Sequence, residues 1–317
     1  MEKSIKVAVV QEGSAIMQKE ACIEKVRKLT KEASSKGAKI ILFPEAFIPA
    51  YPRGLFFGTK IGSRSEKGKQ DFARYYENSI GIPSKEADIL GKIAQENQVY
   101  LLVGVVEREA KTKGGTLYCT VLYFDPKGNL LGKHRKLKPT GSERLIWGEG
   151  DGSTLTVVDS PYGRIGGLIC WENYMPLART AMYFKGIDIY VAPTADARDS
   201  WLATIRHIAL EGRCFVLSCN QFVTKEMYPR DLACYDELQS SNDVLSRGGS
   251  AIIDPNGEVI AGPLLDEAGI LYADLDLTLI PKTRFDFDVI GHYSRPDVFQ
   301  LIVDERKKDS VSSIKDE

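Results

Sequence analysis

Three residues in this chain have side chains suited to covalent hydrolysis, and each stands where an apolar run breaks into polar sequence. Cys170 closes GGLIC and is followed at once by Trp171, Glu172 and Asn173. A thiol with an ordinary pKa of about 8.5 is only slightly ionised at neutral pH. It therefore needs a base for its proton, a donor for charge developing on the substrate, and a way to deliver water. Glu45 leaves the run AKIILFP among Phe43, Phe47 and Tyr51. Apolar surroundings disfavour its charged form and lift its pKa toward the range of a general base. The donor is sought in GKHRKLKPTGSERLIWGEGDG at 132–152. Alternation after Gly132 sends Lys136 and Lys138 to the same side, so spacing does not choose between them. The plain alternatives are a core cysteine, a surface glutamate and a solvated basic face.

Histidine is the commoner partner of a nucleophilic cysteine, and there are three: His134, His207 and His292. His134 lies in the basic run and His207 flanks a helical stripe. No papain-like signature surrounds Cys170 and no G-x-S-x-G is present, so a histidine base is not expected. GEGDG follows no strand and opens no helix, which argues against a phosphate loop.

The elements that must position these residues alternate in the first third. IKVAVV at 5–10 reads as a strand, Ile23, Val26, Leu29 and Ala33 as the apolar face of a helix, and AKIILFP as a second strand. Ser84 can cap a helix carrying Ala87, Leu90, Ile93 and Ala94 ahead of the buried strand VYLLVGVVE at 99–107. The long stretch 51–83 between the units is expected to contain some helix. Two D-P-x-G turns, in VLYFDPKGNLLG at 121–132 and AIIDPNGEVIAG at 251–262, each predict an antiparallel hairpin. A further hairpin is expected over 154–170, strands over 188–194 and 214–220, and a helix carrying Trp201, Ile205, Ile208 and Gly212. Two such halves can bury their sheets only against each other, with helices outside. The pattern thus predicts a four-layer α-β-β-α sandwich of the α/β class. One domain is expected over 1–304, followed by a polar, frayed tail at 305–317.

Composition narrows the partners. With 42 basic and 43 acidic residues in 317, and 43% apolar residues, the chain has neither the field that gathers nucleic acid nor the composition of a disordered segment. No run approaches a membrane span or a signal sequence, so a cytoplasmic protein acting on small molecules is expected, without nucleic-acid or membrane partners. The six cysteines show no C-x-x-C spacing, and nothing calls for a metal or other cofactor.

FPEAFIPAYP, GKHRKLKPT, ERLIWGEGDGS, GLICWENYMPLAR, IALEGRCFVLS and GHYSRPDVF, in that order, resemble blocks of the nitrilase branch of the carbon–nitrogen hydrolase superfamily. The resemblance spans roughly residues 5–300 and implies the same α-β-β-α sandwich. It makes Glu45 the general base, Lys136 rather than Lys138 the catalytic lysine, Cys170 the nucleophile and Glu143 a second glutamate of the site. Glu172 is expected to play a supporting role. By analogy Tyr51, Arg53, Trp171, Pro193, Thr194, Ala195 and Trp201 line or border the substrate pocket. The implied reaction is hydrolysis of an organic nitrile to acid and ammonia through a thioimidate and a thioester. Nitrile hydration to the amide, a β-cyanoalanine-type substrate, and amidase chemistry at the same residues are the alternatives. Assembly into a homo-oligomer, a dimer or larger spiral, is also implied.

Overall fold

The computed structural model describes residues 3–109, 114–309 and 311. The first sheet contains β1 (Ser4–Gln11), β2 (Ile40–Leu42), β5 (Ile80–Gly81), β6 (Tyr100–Arg108), β7 (Leu117–Phe124), β8 (Leu130–Arg135) and β16 (Gly269–Asp276), numbered along the chain. Its order is β16-β1-β2-β6-β7-β8, with β5 also paired to β6. The second sheet contains β9 (Val157–Val158), β10 (Ile165–Gly167), β11 (Ile189–Pro193), β12 (Phe215–Cys219), β13 (Phe222–Thr224), β14 (Val244–Ile253) and β15 (Val259–Leu265). It runs β13-β14-β12-β11-β10-β9, with β15 on β14. A two-stranded ribbon, β3 (Thr59–Lys60) with β4 (Ser63–Arg64), and α2 (Glu66–Glu77) occupy the long stretch before β5.

Strand alternation sorts the core into three separate clusters. Val7, Val9, Ile40, Leu42, Cys119, Val121, Ile189, Val191, Phe215, Leu217 and Ile252 meet between the two sheets. Their neighbours Ala8, Val10, Ile41, Leu101, Val103 and Leu122 turn outward beneath α1 (Lys19–Ser35) and α3 (Lys85–Asn97), which contribute Val26, Leu90 and Ile93. Tyr190, Ala192, Val216, Ala251 and Ile253 likewise face Ala178 and Met182 of α4 (Pro176–Phe184) and Ile205 and Ile208 of α5 (Asp199–Gly212). The result is the α-β-β-α sandwich. Each fully buried Val, Leu or Ile contributes about 1.5–3 kcal/mol, so two apolar faces per sheet hold the layers in register.

The local signals behave as their chemistry requires. The Ser84 hydroxyl accepts from Ala87 N at 3.2 Å and caps α3. Gly128 and Gly257 close the two D-P-x-G hairpins at φ 87° and 78°, where a side chain would be strained. One strand departs from the two-halves picture. β16 crosses back to pair antiparallel with β1 over eight positions, from Ser4↔Asp276 to Gln11↔Gly269, so the second half closes the edge of the first sheet.

A last helix, α6 (Leu279–Asp286), leads into an irregular C-terminal segment. Positions 310 and 312–317 of the expected tail lie outside the described residues. The part before them touches the body: Lys308 N donates to Asp151 Oδ2 at 2.7 Å and Glu305 pairs with Lys185 at 2.7 Å.

Candidate active site

Glu45, Lys136 and Glu143 arrive from three separate turns. β2 ends at Leu42, and the chain passes through Phe43 and Pro44 into a tight turn carrying Glu45. That turn crosses β6 at Gly104, where an added Cβ would lie 2.0 Å from Pro44 O and 2.9 Å from Glu45 Cα. Only glycine allows so close an approach. Gln221 holds the turn from the other sheet, donating Nε2 to Glu45 O at 3.0 Å.

β8 ends at Arg135, and Lys136 stays anchored to β7 through its N–H to Cys119 O at 2.8 Å. Its side chain is wholly buried, and Nζ donates to Glu45 Oε1 at 2.7 Å and Glu143 Oε2 at 2.8 Å. Lys138, placed on the same side by ideal alternation, is 48% exposed and pairs with Glu149 instead. The strand stops before Lys136, so the alternation no longer applies. Glu143 belongs to a 3-10 turn, Gly141–Leu145; its Oε2 also accepts from Thr140 N at 2.6 Å and its Oε1 from Tyr51 OH at 2.8 Å.

Cys170 opens another 3-10 turn, Cys170–Tyr174, three residues after β10. Its φ of 52° is a left-handed conformation that costs a non-glycine residue of order 1 kcal/mol. The surroundings impose it. Asn173 Nδ2 donates to Cys170 O at 2.8 Å and Leu168 O at 3.0 Å, while Tyr190 OH donates to Asn173 Oδ1 at 2.8 Å. Thr194, just past β11, donates its hydroxyl to Cys170 Sγ at 3.2 Å. Glu172 lies in the same turn and makes no described ion pair with Lys136, accepting instead from Leu137 N, Ile169 N and His134 Nε2.

These groups perturb one another. Burial, and then the Glu45 carboxylate, push the Cys170 thiol up to about 12, against the pull of Lys136 and the Thr194 hydroxyl. Burial likewise raises Glu45 above the ordinary carboxylate range, with Lys136 opposing. For Lys136 burial acts downward, but the negative charge of Glu45, with Glu143 adding to it, prevails and holds its pKa well above the usual value. The site is thus a buried ammonium shared by two carboxylates, electrostatically coupled to a protonated thiol. Glu45 Oε2 is buried and has no hydrogen-bond partner among the described residues, which leaves one carboxylate oxygen able to accept a further proton donor.

A cavity of about 200 Å³ opens beside Glu143, lined by Tyr51, Arg53, Leu55, Phe57, Ile146 and Trp147 among others. Arg53 stacks 5.3 Å from the Tyr51 ring centroid and donates to Ala195 O, and no described carboxylate pairs with it. Ala195 borders a narrower crevice with Arg53 and Asn220. Trp171 is 40% exposed, gives its indole N–H to Asp196 at 2.8 Å and carries Arg198 4.7 Å from its ring. Trp201 does not fit the expected pocket role. It is buried with Ile205 and Ile208 in the outer cluster, on the far face of the second sheet from Cys170, and its N–H goes to Ser218 Oγ at 2.8 Å.

Two further groups escaped the sequence reading. Cys119 donates its thiol to Glu45 Oε1 at 3.5 Å; its inward position on β7 was the only available sign. His134 is buried against Glu172, a contact between distant segments that no local pattern reveals. Among the described residues, no group of three or more His, Cys, Asp or Glu is placed to hold a metal ion.

Residues 6–285 match the family described as carbon-nitrogen hydrolase, and the chain belongs to that family. Its relatives include an aliphatic nitrilase of Sinorhizobium fredii, 54% identical over 96% of this chain and 97% of that protein. A bifunctional nitrilase/nitrile hydratase of Nicotiana tabacum is 50% identical over 98% of this chain and 88% of its own length. Among solved structures, a branch 10 member of the nitrilase superfamily from Saccharomyces cerevisiae superposes with TM-score 0.69 at 23% identity, covering 92% of this chain and 97% of its own. A carbon-nitrogen hydrolase from Helicobacter pylori gives 0.71 at 21% identity, covering 94% and 97%. These two likenesses concern the fold.

Proposed function

We propose that this protein is a nitrilase, converting an organic nitrile to its carboxylic acid and ammonia. The observation that carries the reading is the fully buried Lys136 ammonium, held by Glu45 and Glu143 within the electrostatic reach of Cys170. The nitrilase names of relatives at about half identity support the substrate class.

In this reading Glu45 takes the Cys170 proton as sulfur attacks the nitrile carbon, and the displaced π pair collects on nitrogen. Lys136 supplies the compensating charge and a proton, which Glu45 returns to it across their hydrogen bond, giving a thioimidate bound to Cys170. Glu45 then takes a proton from water as its oxygen adds to that carbon. Protonated at nitrogen, the tetrahedral species expels ammonia and leaves a thioester. A second water, activated in the same way, cleaves the thioester, and the sulfur recovers its proton. Glu143 keeps Lys136 charged and aimed, and Glu172 supports the turn that carries Cys170. If the tetrahedral species expels sulfur instead of ammonia, the product is the amide, so one site serves both nitrilase and hydratase outcomes.

A second substrate reading rests on Arg53. A guanidinium beside the cavity, without a described carboxylate partner, favours a nitrile that carries its own carboxylate, of the β-cyanoalanine type. Tyr51 lines this cavity and, with Ala195, the crevice beside it, while Thr194 reaches Cys170 itself.

The six free, buried cysteines favour a reducing cytoplasm, and no helix among the described residues is long and apolar enough to cross a membrane. Exposed Leu177 and Phe184 on α4 favour a homo-oligomer, which light scattering tests. The deciding assay is ammonia release from aliphatic, aryl, arylacetic and carboxylate-bearing nitriles, with acid and amide quantified separately. Turnover of amides but no nitrile overturns the nitrilase reading in favour of an amidase. Full activity in Cys170→Ala overturns the mechanism.

A further inference from the structure

Glu172 stands outside the chemistry just described, yet its two oxygens hold the chain on both sides of it. Oε1 accepts from Leu137 N at 2.6 Å, the residue directly after Lys136. Oε2 accepts from Ile169 N at 2.8 Å, the residue directly before Cys170, and from His134 Nε2 at 3.0 Å. His134 in turn lies two residues before Lys136, and its Nδ1 faces Thr154 O at 2.9 Å. Both side chains are wholly buried. Each ring nitrogen faces an oxygen that can only accept, so the contacts are satisfied when both nitrogens carry protons. The charge of Glu172 favours that imidazolium against the opposing effect of burial.

We infer that Glu172 and His134 form a brace between the two sheets, setting the separation of the Lys136 ammonium from the Cys170 sulfur and thereby the partition of the tetrahedral intermediate between acid and amide. The inference rests on the nitrilase reading. The carbon of that intermediate carries the Cys170 sulfur, a hydroxyl and an amino group. With Lys136 close, its proton passes to the amino nitrogen, the C–N bond breaks, ammonia departs as the hydroxyl proton passes to Glu45, and the thioester remains. With Lys136 displaced, the nitrogen stays unprotonated and is the poorer leaving group. The C–S bond then breaks, sulfur takes the electron pair and then a proton, and the carbon keeps its nitrogen as the amide. Both residues act through Lys136 and Cys170, and are positioning residues.

Glu172→Gln cannot accept from all three donors, because one oxygen becomes an NH2 group. His134→Gln is milder, neutral but still able to donate to Glu172. The full-length variants and their double mutant are to be assayed on the best nitrile, with kcat, KM and the acid-to-amide ratio measured together and folding checked by circular dichroism and melting. For Glu172→Gln, kcat should fall about tenfold to a hundredfold at nearly constant KM, as expected when reacting groups shift by about an ångström. The amide share should rise. His134→Gln should change both quantities in the same direction by less, and the double mutant should be no worse than Glu172→Gln, because the two residues act as one unit. A folded variant with wild-type kcat and product ratio, or a loss carried wholly by KM, overturns the brace and leaves the nitrilase reading standing. If Glu172→Gln does not fold, His134→Gln alone decides by the same criteria. Wild-type protein that turns over no nitrile overturns the nitrilase reading and the brace with it.

Discussion

Lys136 and Glu45 come from strand ends 91 residues apart in sequence, yet share a 2.7 Å hydrogen bond from which water is excluded on both sides. Removing the cation strands two buried carboxylates, a change that typically costs about 3–5 kcal/mol. Lys136→Met should therefore lower stability to urea by that order and abolish nitrile turnover. Lys136→Arg should not restore activity, because the longer planar fork cannot occupy the same point between two carboxylates. A Lys136→Met protein as stable as wild type would refute the account of the pair.

The pH dependence follows from Glu45 and Cys170. Glu45 must be ionised to act as base, and burial raises its pKa, so kcat/KM should fall as pH drops through a value above the ordinary carboxylate range of about 4. Lys136 is held protonated well above its usual range and should give no alkaline limb near neutrality. With the thiol pushed up to about 12, alkylation of Cys170 should keep accelerating through pH 9 without levelling. A plateau near pH 8.5 would show an ordinary thiol.

Thr194 gives the only described hydrogen bond to Cys170 Sγ, at 3.2 Å, and favours the thiolate. Thr194→Val keeps the shape and deletes the donor, and should lower kcat by about tenfold, as for a bond of about 1–1.5 kcal/mol. The hydroxyl also accepts from Asp196 N at 2.9 Å, so a small loss of melting temperature should accompany it. Thr194→Ser, which retains the donor, should preserve most of the rate.

Gly104 makes a steric prediction. Gly104→Ala places a methyl group 2.0 Å from Pro44 O and must push the Glu45 turn away from β6. Activity should fall by about a hundredfold or more, since a shift of about an ångström is enough to misplace a catalytic group. Wild-type kinetics in this variant would mean that the turn is looser than its contacts indicate.

Much of the fold was legible because burial writes itself into periodicity. Alternating runs such as IKVAVV and CFVLS must face two apolar layers, and the two D-P-x-G turns fix their hairpins. β16 was harder to foresee, because its partner lies at the opposite end of the chain and several of its residues are only half-buried. Cys170, Glu45 and Lys136 were readable as breaks at strand ends, although Lys136 needed the family resemblance to separate it from Lys138. Trp201 misled because aromatic character does not say which face of a sheet a ring will serve. His134 and Cys119 depend on contacts across 38 and 74 residues, which no local window contains.

Glu45 and Lys136 belong to one sheet, Cys170 and Thr194 to the other, and their chemistry meets at the seam between them. Neither layer is a smaller enzyme. Turnover consequently doubles as a gauge of how tightly the slabs are clasped: slippage there silences the protein while every strand stays intact, and repair requires only that the two faces close again.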